Sequence, residues 1–232
     1  MELVIDRVTK QYKNKIAVDR VSAVLHPGVT GLLGANGAGK TTLMRMITGI
    51  LTPSSGGITY NGLPVSEEDY RSVLGYLPQE FGYYPEFSGR DFLLYLAALK
   101  GLSKKEAAEK TDLLMETVGL SDVQKKRIRT YSGGMKQRLG IAQALLNDPE
   151  VLILDEPPAG LDPMERVRFR ELIRAIGDHS IVLLSTHIVS DIEQIAGNIL
   201  MMKAGQLIWQ GSWNEADGSL EAFYLKEFGM GR

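Results

Sequence analysis

Cysteine does not occur anywhere in the 232 residues. Disulfides, iron–sulfur clusters and thiolate metal sites are therefore excluded, and the chain agrees with a reducing compartment. Long apolar runs are missing as well: the longest uninterrupted one, Phe92–Leu99, is far too short to cross a bilayer. The start, Met1-Glu2-Leu3-Val4-Ile5-Asp6, lacks the charged and apolar regions of a signal peptide. An excess of either charge is also lacking; the net charge of −2 favours neither nucleic acid nor an acidic membrane surface. The basic cluster Lys125, Lys126, Arg127 and Arg129 reads as a solvated face. There is no low-complexity tract. These absences predict a polypeptide soluble by itself, 44% hydrophobic and 23% charged, with core enough for one large domain over 1–232.

What is present is most informative at residues 34–42, Gly-Ala-Asn-Gly-Ala-Gly-Lys-Thr-Thr. Gly34, Gly39, Lys40 and Thr41 occupy the fixed positions of G-x-x-x-x-G-K-[ST], a loop that holds a nucleoside triphosphate. Small residues let the backbone N–H groups of Asn36, Gly37, Ala38 and Thr42 approach phosphate oxygens that a Cβ would obstruct. Lys40 supplies positive charge near the β- and γ-phosphates, and the Thr41 hydroxyl suits Mg²⁺. The apolar strand Val29–Leu33 precedes the loop, and Leu43, Met46, Ile47 and Ile50 follow at helical spacing. A helix N-terminus in that place adds partial positive charge to the anion site.

The first sixty-odd residues read as β-rich: Leu3, Ile5 and Val8, then Ala17–Leu25, then Val29–Leu33, with Ile58–Tyr60 running into the hairpin signal Asn61-Gly62. A helical middle from about 88 to 147 includes the capping-box pair Ser103 and Glu106. Alternation then returns: strand Val151–Leu154, helix Pro163–Ile176, strand Ile181–Ser185, helix Val189–Ala196, and a last hairpin turning at Ala204-Gly205. Apolar strands separated by helices predict an α/β fold with a parallel sheet covered on both faces. The core would be 1–87 and 148–232, with an N-terminal antiparallel β part, and the helical subdomain would be inserted between the loop-bearing strand and Val151–Leu154.

Val151-Leu152-Ile153-Leu154 ends in Asp155-Glu156-Pro157, placing two carboxylates at the carboxyl end of a buried strand, where open α/β sheets bind ligands. They divide the work there: Asp155 for Mg²⁺ through water, Glu156 as the general base that polarises the attacking water. Ser132, Gly133 and Gly134 open a second helix and form a second anion site by the same logic. One chain has little use for two such sites around one nucleotide, but two chains facing head to tail can use both.

GANGAGKTT at 34–42, YLPQE at 76–80, YSGGMKQR at 131–138, VLILDEP at 151–157, AGLDP at 159–163 and STH at 185–187 resemble, in order and spacing, the ATP-binding-cassette (ABC) ATPases, whose core is the P-loop NTPase fold. AGLDPMER and SGGMKQRL are similar to the subgroup serving ABC-2-type exporters. The resemblance implies that Tyr12 stacks on adenine, that Gln79 senses Mg²⁺ and the attacking water, and that Ser132 and Gly134 contact the γ-phosphate held by the opposite subunit. It also implies Asp162 at the dimer interface and His187 on the γ-phosphate. Bland readings stand beside these: Tyr12 packing on the N-terminal strands, Gln79 as a surface residue, His187 as a helix-start residue without a ligand. Tyr131, Met135 and Pro158 depart from the commonest motif residues, and none of them is a catalytic side chain.

The expected function is an ATP-hydrolysing subunit that dimerises around two Mg²⁺–ATP and drives a separate membrane permease, in the export direction. It would be cytoplasmic and peripheral on the inner face of the cell membrane, with a homo- or heterodimeric partner cassette and no nucleic acid. Phe81, Tyr83, Tyr84 and Phe87 form either a docking loop for that permease or local core packing. The alternative is a non-transport ABC ATPase acting as a mechanical or regulatory module; one cassette and no sustained heptads argue against it. Ser132–Gly134, Glu156 and His187 together count against a GTPase or small-molecule kinase.

Overall fold

Two kinds of strand pattern in this chain build two kinds of sheet. The structure, a computed structural model, describes residues 1–157, 161–214 and 218–229; Pro158 and the Ala159-Gly160 of the AGLDP string lie outside them. β1 (Leu3–Tyr12), β2 (Lys15–Leu25), β4 (Ser55–Tyr60) and β5 (Leu63–Pro64) form an antiparallel sheet in the order β2-β1-β4-β5. Along β2, buried Val21, Ala23 and Leu25 alternate with exposed Ser22 and Val24, as expected of a sheet with one covered face. The β4–β5 turn is Asn61-Gly62, with φ of 48° and 83°, the pair of left-handed residues that a tight hairpin requires.

The second sheet has six strands in the order β10-β9-β3-β8-β7-β6. β3 (Gly28–Leu33), β6 (Leu74–Leu77), β7 (Val151–Asp155), β8 (Ile181–Thr186) and β9 (Asn198–Lys203) pair in parallel, and β10 (Gln206–Ser212) folds back antiparallel on β9. Every residue of β7 and β8 is buried. Leu152, Leu154, Val182 and Leu184 enter one core, shared with the helices between residues 89 and 146, whereas Val151, Ile153, Ile181 and Leu183 enter another, shared with the antiparallel sheet. Covering both faces is why these strands read as unbroken apolar runs.

α1 (Lys40–Ile47) follows β3, and the short α2 (Glu68–Ser72) precedes β6. α3 (Gly89–Leu99), α4 (Lys104–Thr117) and α5 (Gly133–Ala144) lie between β6 and β7, α6 (Pro163–Gly177) between β7 and β8, and α7 (Leu220–Glu227) after β10. Ser103 and Glu106 form the expected reciprocal cap on α4. The C-terminal end of α5 packs directly on β6: a Cβ on Gly75 would lie 2.2 Å from the Ala144 carbonyl oxygen.

One sequence expectation is corrected. Val189–Ala196 is not an α-helix but a 3₁₀ turn, Val189–Asp191, followed by further turns. Its bonds mix two spacings, Ile192 N–H and Glu193 N–H both reaching the Val189 carbonyl. Tertiary ties override the helical spacing of Val189, Ile192 and Ile195: the Asp191 carboxylate accepts from Arg166 at 3.0 Å, and the Glu193 carboxylate accepts from the Leu220 N–H at 2.6 Å. β6, α2 and α7 were not foreseen from the sequence.

Candidate functional site

The chain leaves β3 at Leu33 and turns through Gly34–Gly39 into α1. Gly39 has φ of 106°, and a Cβ there would lie 2.5 Å from the Ala17 carbonyl oxygen; a Cβ on Gly34 would lie 2.5 Å from the Met202 carbonyl oxygen. The loop is thus wedged between β2 and the β9–β10 hairpin, whose Gly205 N–H donates to the Ala38 carbonyl at 2.9 Å. At the start of α1 the Leu43 N–H reaches the Gly39 carbonyl. The N–H groups of Lys40, Thr41 and Thr42 precede that bond, at the positive end of the helix dipole. Lys40 is only 6% exposed, and its ammonium donates to the Gly34 carbonyl at 2.6 Å and the Ala35 carbonyl at 3.4 Å.

Asp155 and Glu156 stand at the end of β7, beside Ser185 on β8. Asp155 is buried; its Oδ1 accepts from the Ser185 hydroxyl at 2.5 Å, and its Oδ2 has no partner among the described residues. Glu156 takes φ of 55°, a left-handed conformation unusual for this residue, and its N–H is held by both the carbonyl and the hydroxyl of Ser185. Its carboxylate lies 3.6 Å from the Lys40 ammonium and accepts from His187 Nδ1 at 2.8 Å.

A cleft of about 640 Å³ joins these parts. Its lining includes Tyr12, Asn36 through Thr42, Gln79 and Glu156, which gathers into one place residues from both sheets. Tyr12 is half exposed at the end of β1, so it is not packed into the N-terminal strands; the Lys10 ammonium lies 5.5 Å from its ring centre. Gln79 follows β6 and is exposed to the cleft. Asp155 and His187 do not line the cleft and join it through Ser185 and Glu156. Sequence reasoning missed Ser185 as a site residue, along with Lys15, Ile16, Ala17, Ala204 and Gly205 on the cleft wall. Ser185 sat inside the quoted STH string; the others carried no local signal.

Ser132, Gly133, Gly134 and Asp162 do not line this cleft. The Ser132 side chain caps α5 by accepting from the Met135 N–H, and Ser132 and Gly133 are exposed. Asp162 caps α6, its Oδ1 accepting from the Glu165 N–H at 2.8 Å while Glu165 Oε2 accepts from the Asp162 N–H at 3.1 Å.

The aromatic segment after Gln79 divides. Phe81 and Tyr83 pack against the helical core, with Lys136 over the Tyr83 ring. Tyr84 and Phe87 are exposed and meet exposed Tyr95 of α3, ring centres 5.2–5.8 Å apart.

Among the described residues no cluster of three or more His, Cys, Asp or Glu side chains could hold a metal ion. The donors at this site instead suit Mg²⁺ shared with a nucleotide: a hydroxyl at Thr41, an amide at Gln79, and the unpartnered buried Oδ2 of Asp155. No helix among the described residues is long and apolar enough to cross a membrane.

Comparison with known proteins agrees with this geometry. A family model described as ABC transporter matches residues 18–159. The chain is 42% identical over 214 residues to the uncharacterized ABC transporter ATP-binding protein YxlF of Bacillus subtilis, covering 92% of this chain and 72% of that one. It is 36% identical over 212 residues to the Nod factor export ATP-binding protein I of Cupriavidus metallidurans, covering 90% and 70%. Among solved structures, an ATP binding subunit of an ABC transporter superposes with a TM-score of 0.82 at 27% identity, covering 99% of this chain and 94% of that one.

Proposed function

This chain belongs to the ABC transporter family, as an ATP-binding subunit that hydrolyses ATP, and from that premise we propose that two cassettes close head to tail around two Mg²⁺–ATP to drive a separate membrane permease in the export direction. One observation carries this reading. The phosphate loop and Glu156 line one cleft, which His187 reaches through its bond to Glu156, whereas Ser132–Gly134 and Asp162, equally suited to phosphate and to an interface, neither line it nor bond to Glu156. The second group is then free to complete the cleft of another copy.

Within the cleft, Tyr12 stacks on the base, and the N–H groups of 36–42 and the Lys40 ammonium take the phosphates. Phosphate oxygens replace the Gly34 and Ala35 carbonyls as acceptors for Lys40. Thr41, Gln79 and Asp155, the last through water, would hold Mg²⁺, which would neutralise phosphate charge when bound. Glu156 accepts a proton as water attacks the γ-phosphorus; a new P–O bond forms, the bond to the β–γ bridging oxygen breaks, and ADP leaves with phosphate. His187, bonded to Glu156, contacts the γ-phosphate. Exposed Tyr84, Phe87 and Tyr95 are the docking surface for the permease, Phe81 and Tyr83 serving the core beneath. The subunit then sits at the cytoplasmic face of the cell membrane, held there by its partner. The export-named relative supports the direction.

Replacing Glu156 with Gln tests the reading. Turnover should fall by about 10²–10⁴-fold, the usual worth of a general base, and Mg²⁺–ATP should convert the protein to a dimer in size-exclusion chromatography. Hydrolysis at the unsubstituted rate would overturn the role of Glu156; a chain that stays monomeric would overturn the shared cleft.

A further inference from the structure

Arg138 lies on α5, six residues beyond Ser132, or roughly 9 Å along the helix. Its guanidinium makes three directed contacts with two other elements. One Nη1 donates to the carbonyls of Val118 and Gly119 at 2.9 and 2.8 Å, where α4 ends. Nη2 lies 2.9 Å from Glu165 Oε1 on α6. A cation suits the negative end of α4, and Gly119, with φ of 64°, leaves room for it: a Cβ there would already lie 3.3 Å from Nη1. The two side chains are 19% and 18% exposed, so the pair is largely withdrawn from water.

Glu165 uses its other oxygen differently. Oε2 accepts from the Asp162 N–H, and the Asp162 carboxylate accepts from the Glu165 N–H. One carboxylate therefore grips the N-terminal turn of α6 with one oxygen and α5 with the other. At the two ends of this chain of contacts stand Ser132–Gly134 and Asp162, the groups left outside the cleft. We propose that Glu165 is a positioning residue, acting through Arg138 to hold the tip of α5 and the Asp162 turn in one register, so that they meet the second cassette as a single surface. The proposal rests on the shared-cleft reading above. Neither residue lines the cleft of its own chain, which makes the role separable from ATP binding.

The test uses the Glu156→Gln chain as parent and follows its Mg²⁺–ATP-dependent dimerisation by analytical ultracentrifugation. Adding Glu165→Gln keeps a side chain able to accept from the Asp162 N–H, because glutamine also serves in capping boxes, and removes the charge facing Arg138. Adding Arg138→Lys keeps the charge and removes the planar fork that reaches both helices. Each should raise the dimer dissociation constant at least tenfold while changing the affinity of the monomer for a fluorescent ATP analogue less than twofold. The two together should be no worse than the worse one alone, since both break the same link. Dimerisation equal to the parent, multiplying effects in the double variant, or a parallel loss of nucleotide binding by the monomer would each overturn the proposal. A parent that never dimerises would instead remove the shared cleft, and this inference with it.

Discussion

Ser185→Ala removes one hydroxyl from the end of β8 and should disturb both stability and the proposed Mg²⁺ site. In the structure that hydroxyl donates to Asp155 Oδ1 at 2.5 Å and accepts from the Glu156 N–H at 3.1 Å. The second bond has a substitute, because the same N–H also reaches the Ser185 carbonyl at 3.2 Å. Among the described residues the first has none: Asp155 is 1% exposed, and its other oxygen already lacks a partner there. Losing a hydrogen bond to a buried charged group costs about 1.5–3 kcal/mol. For a chain of this size each kcal/mol moves the melting midpoint by about 2–4 °C, so a fall of about 3–12 °C is expected in thermal unfolding without nucleotide. Mg²⁺ dependence supplies the second readout. A carboxylate whose orienting bond is lost should bind its ion about 10–100-fold more weakly, seen as a shift in the Mg²⁺ concentration that half-saturates ATPase activity. A variant that melts with the unsubstituted chain and shows the same Mg²⁺ titration would refute the assignment of Asp155 to the ion and of Ser185 to Asp155.

Gly39→Ala should weaken binding of a fluorescent ATP analogue at least tenfold, because φ of 106° and an Ala17 carbonyl 2.5 Å from the new Cβ force the loop to move; unchanged affinity would show that the wedge does not shape the loop. Asp191→Asn should gain stability relative to the unsubstituted chain as pH rises. Burial first, opposed by Arg166 and Arg170 and aided by Glu156, raises the Asp191 carboxyl above its ordinary range. A raised acid favours the fold while it stays protonated, at pH below its unfolded value, and loses that contribution as pH climbs through the folded value. Melting curves of the two chains from pH 4 to pH 7 should therefore diverge in favour of Asp191→Asn, and a constant or narrowing gap would contradict the burial argument.

Much of this molecule was legible where the determinants are contiguous. The phosphate loop, the Asp155-Glu156 pair and the Ser103 and Glu106 cap each sit within a few residues, so local chemistry decided them, and the two-sided burial of β7 and β8 was written in their unbroken apolar runs. Val189–Ala196 shows the limit. Its apolar spacing fits a helix, but the ties from Asp191 to Arg166 and from Glu193 to Leu220 come from remote elements and pull the segment into turns. β6 is four residues long and has little room to show a period. α7 packs beside Trp209 and Trp213 through Phe223, a contact no local pattern announces. The cleft wall at Ala204-Gly205 was hidden for the same reason, since it becomes part of the site only because Gly205 bonds to Ala38.

The site also accounts for the costly backbone of Glu156, the proposed general base. A residue other than glycine held in the left-handed region costs about 1–3 kcal/mol, and Glu156 is held there by two bonds from its N–H to Ser185. That arrangement lets consecutive residues of one strand end do opposite things: Asp155 turns toward Ser185 inside the sheet, while Glu156 reaches outward to Lys40 and His187. In a regular strand, neighbouring side chains would point to opposite faces of the sheet. The left-handed turn at Glu156 breaks that alternation and brings its carboxylate to Lys40 of the phosphate loop. Strain at this residue is therefore the structural condition for two neighbouring carboxylates to part, one into the sheet and one toward Lys40 and His187, and in the proposed mechanism it ties the metal-directed Asp155 and the proton-accepting Glu156 to Ser185, whose bonds hold both.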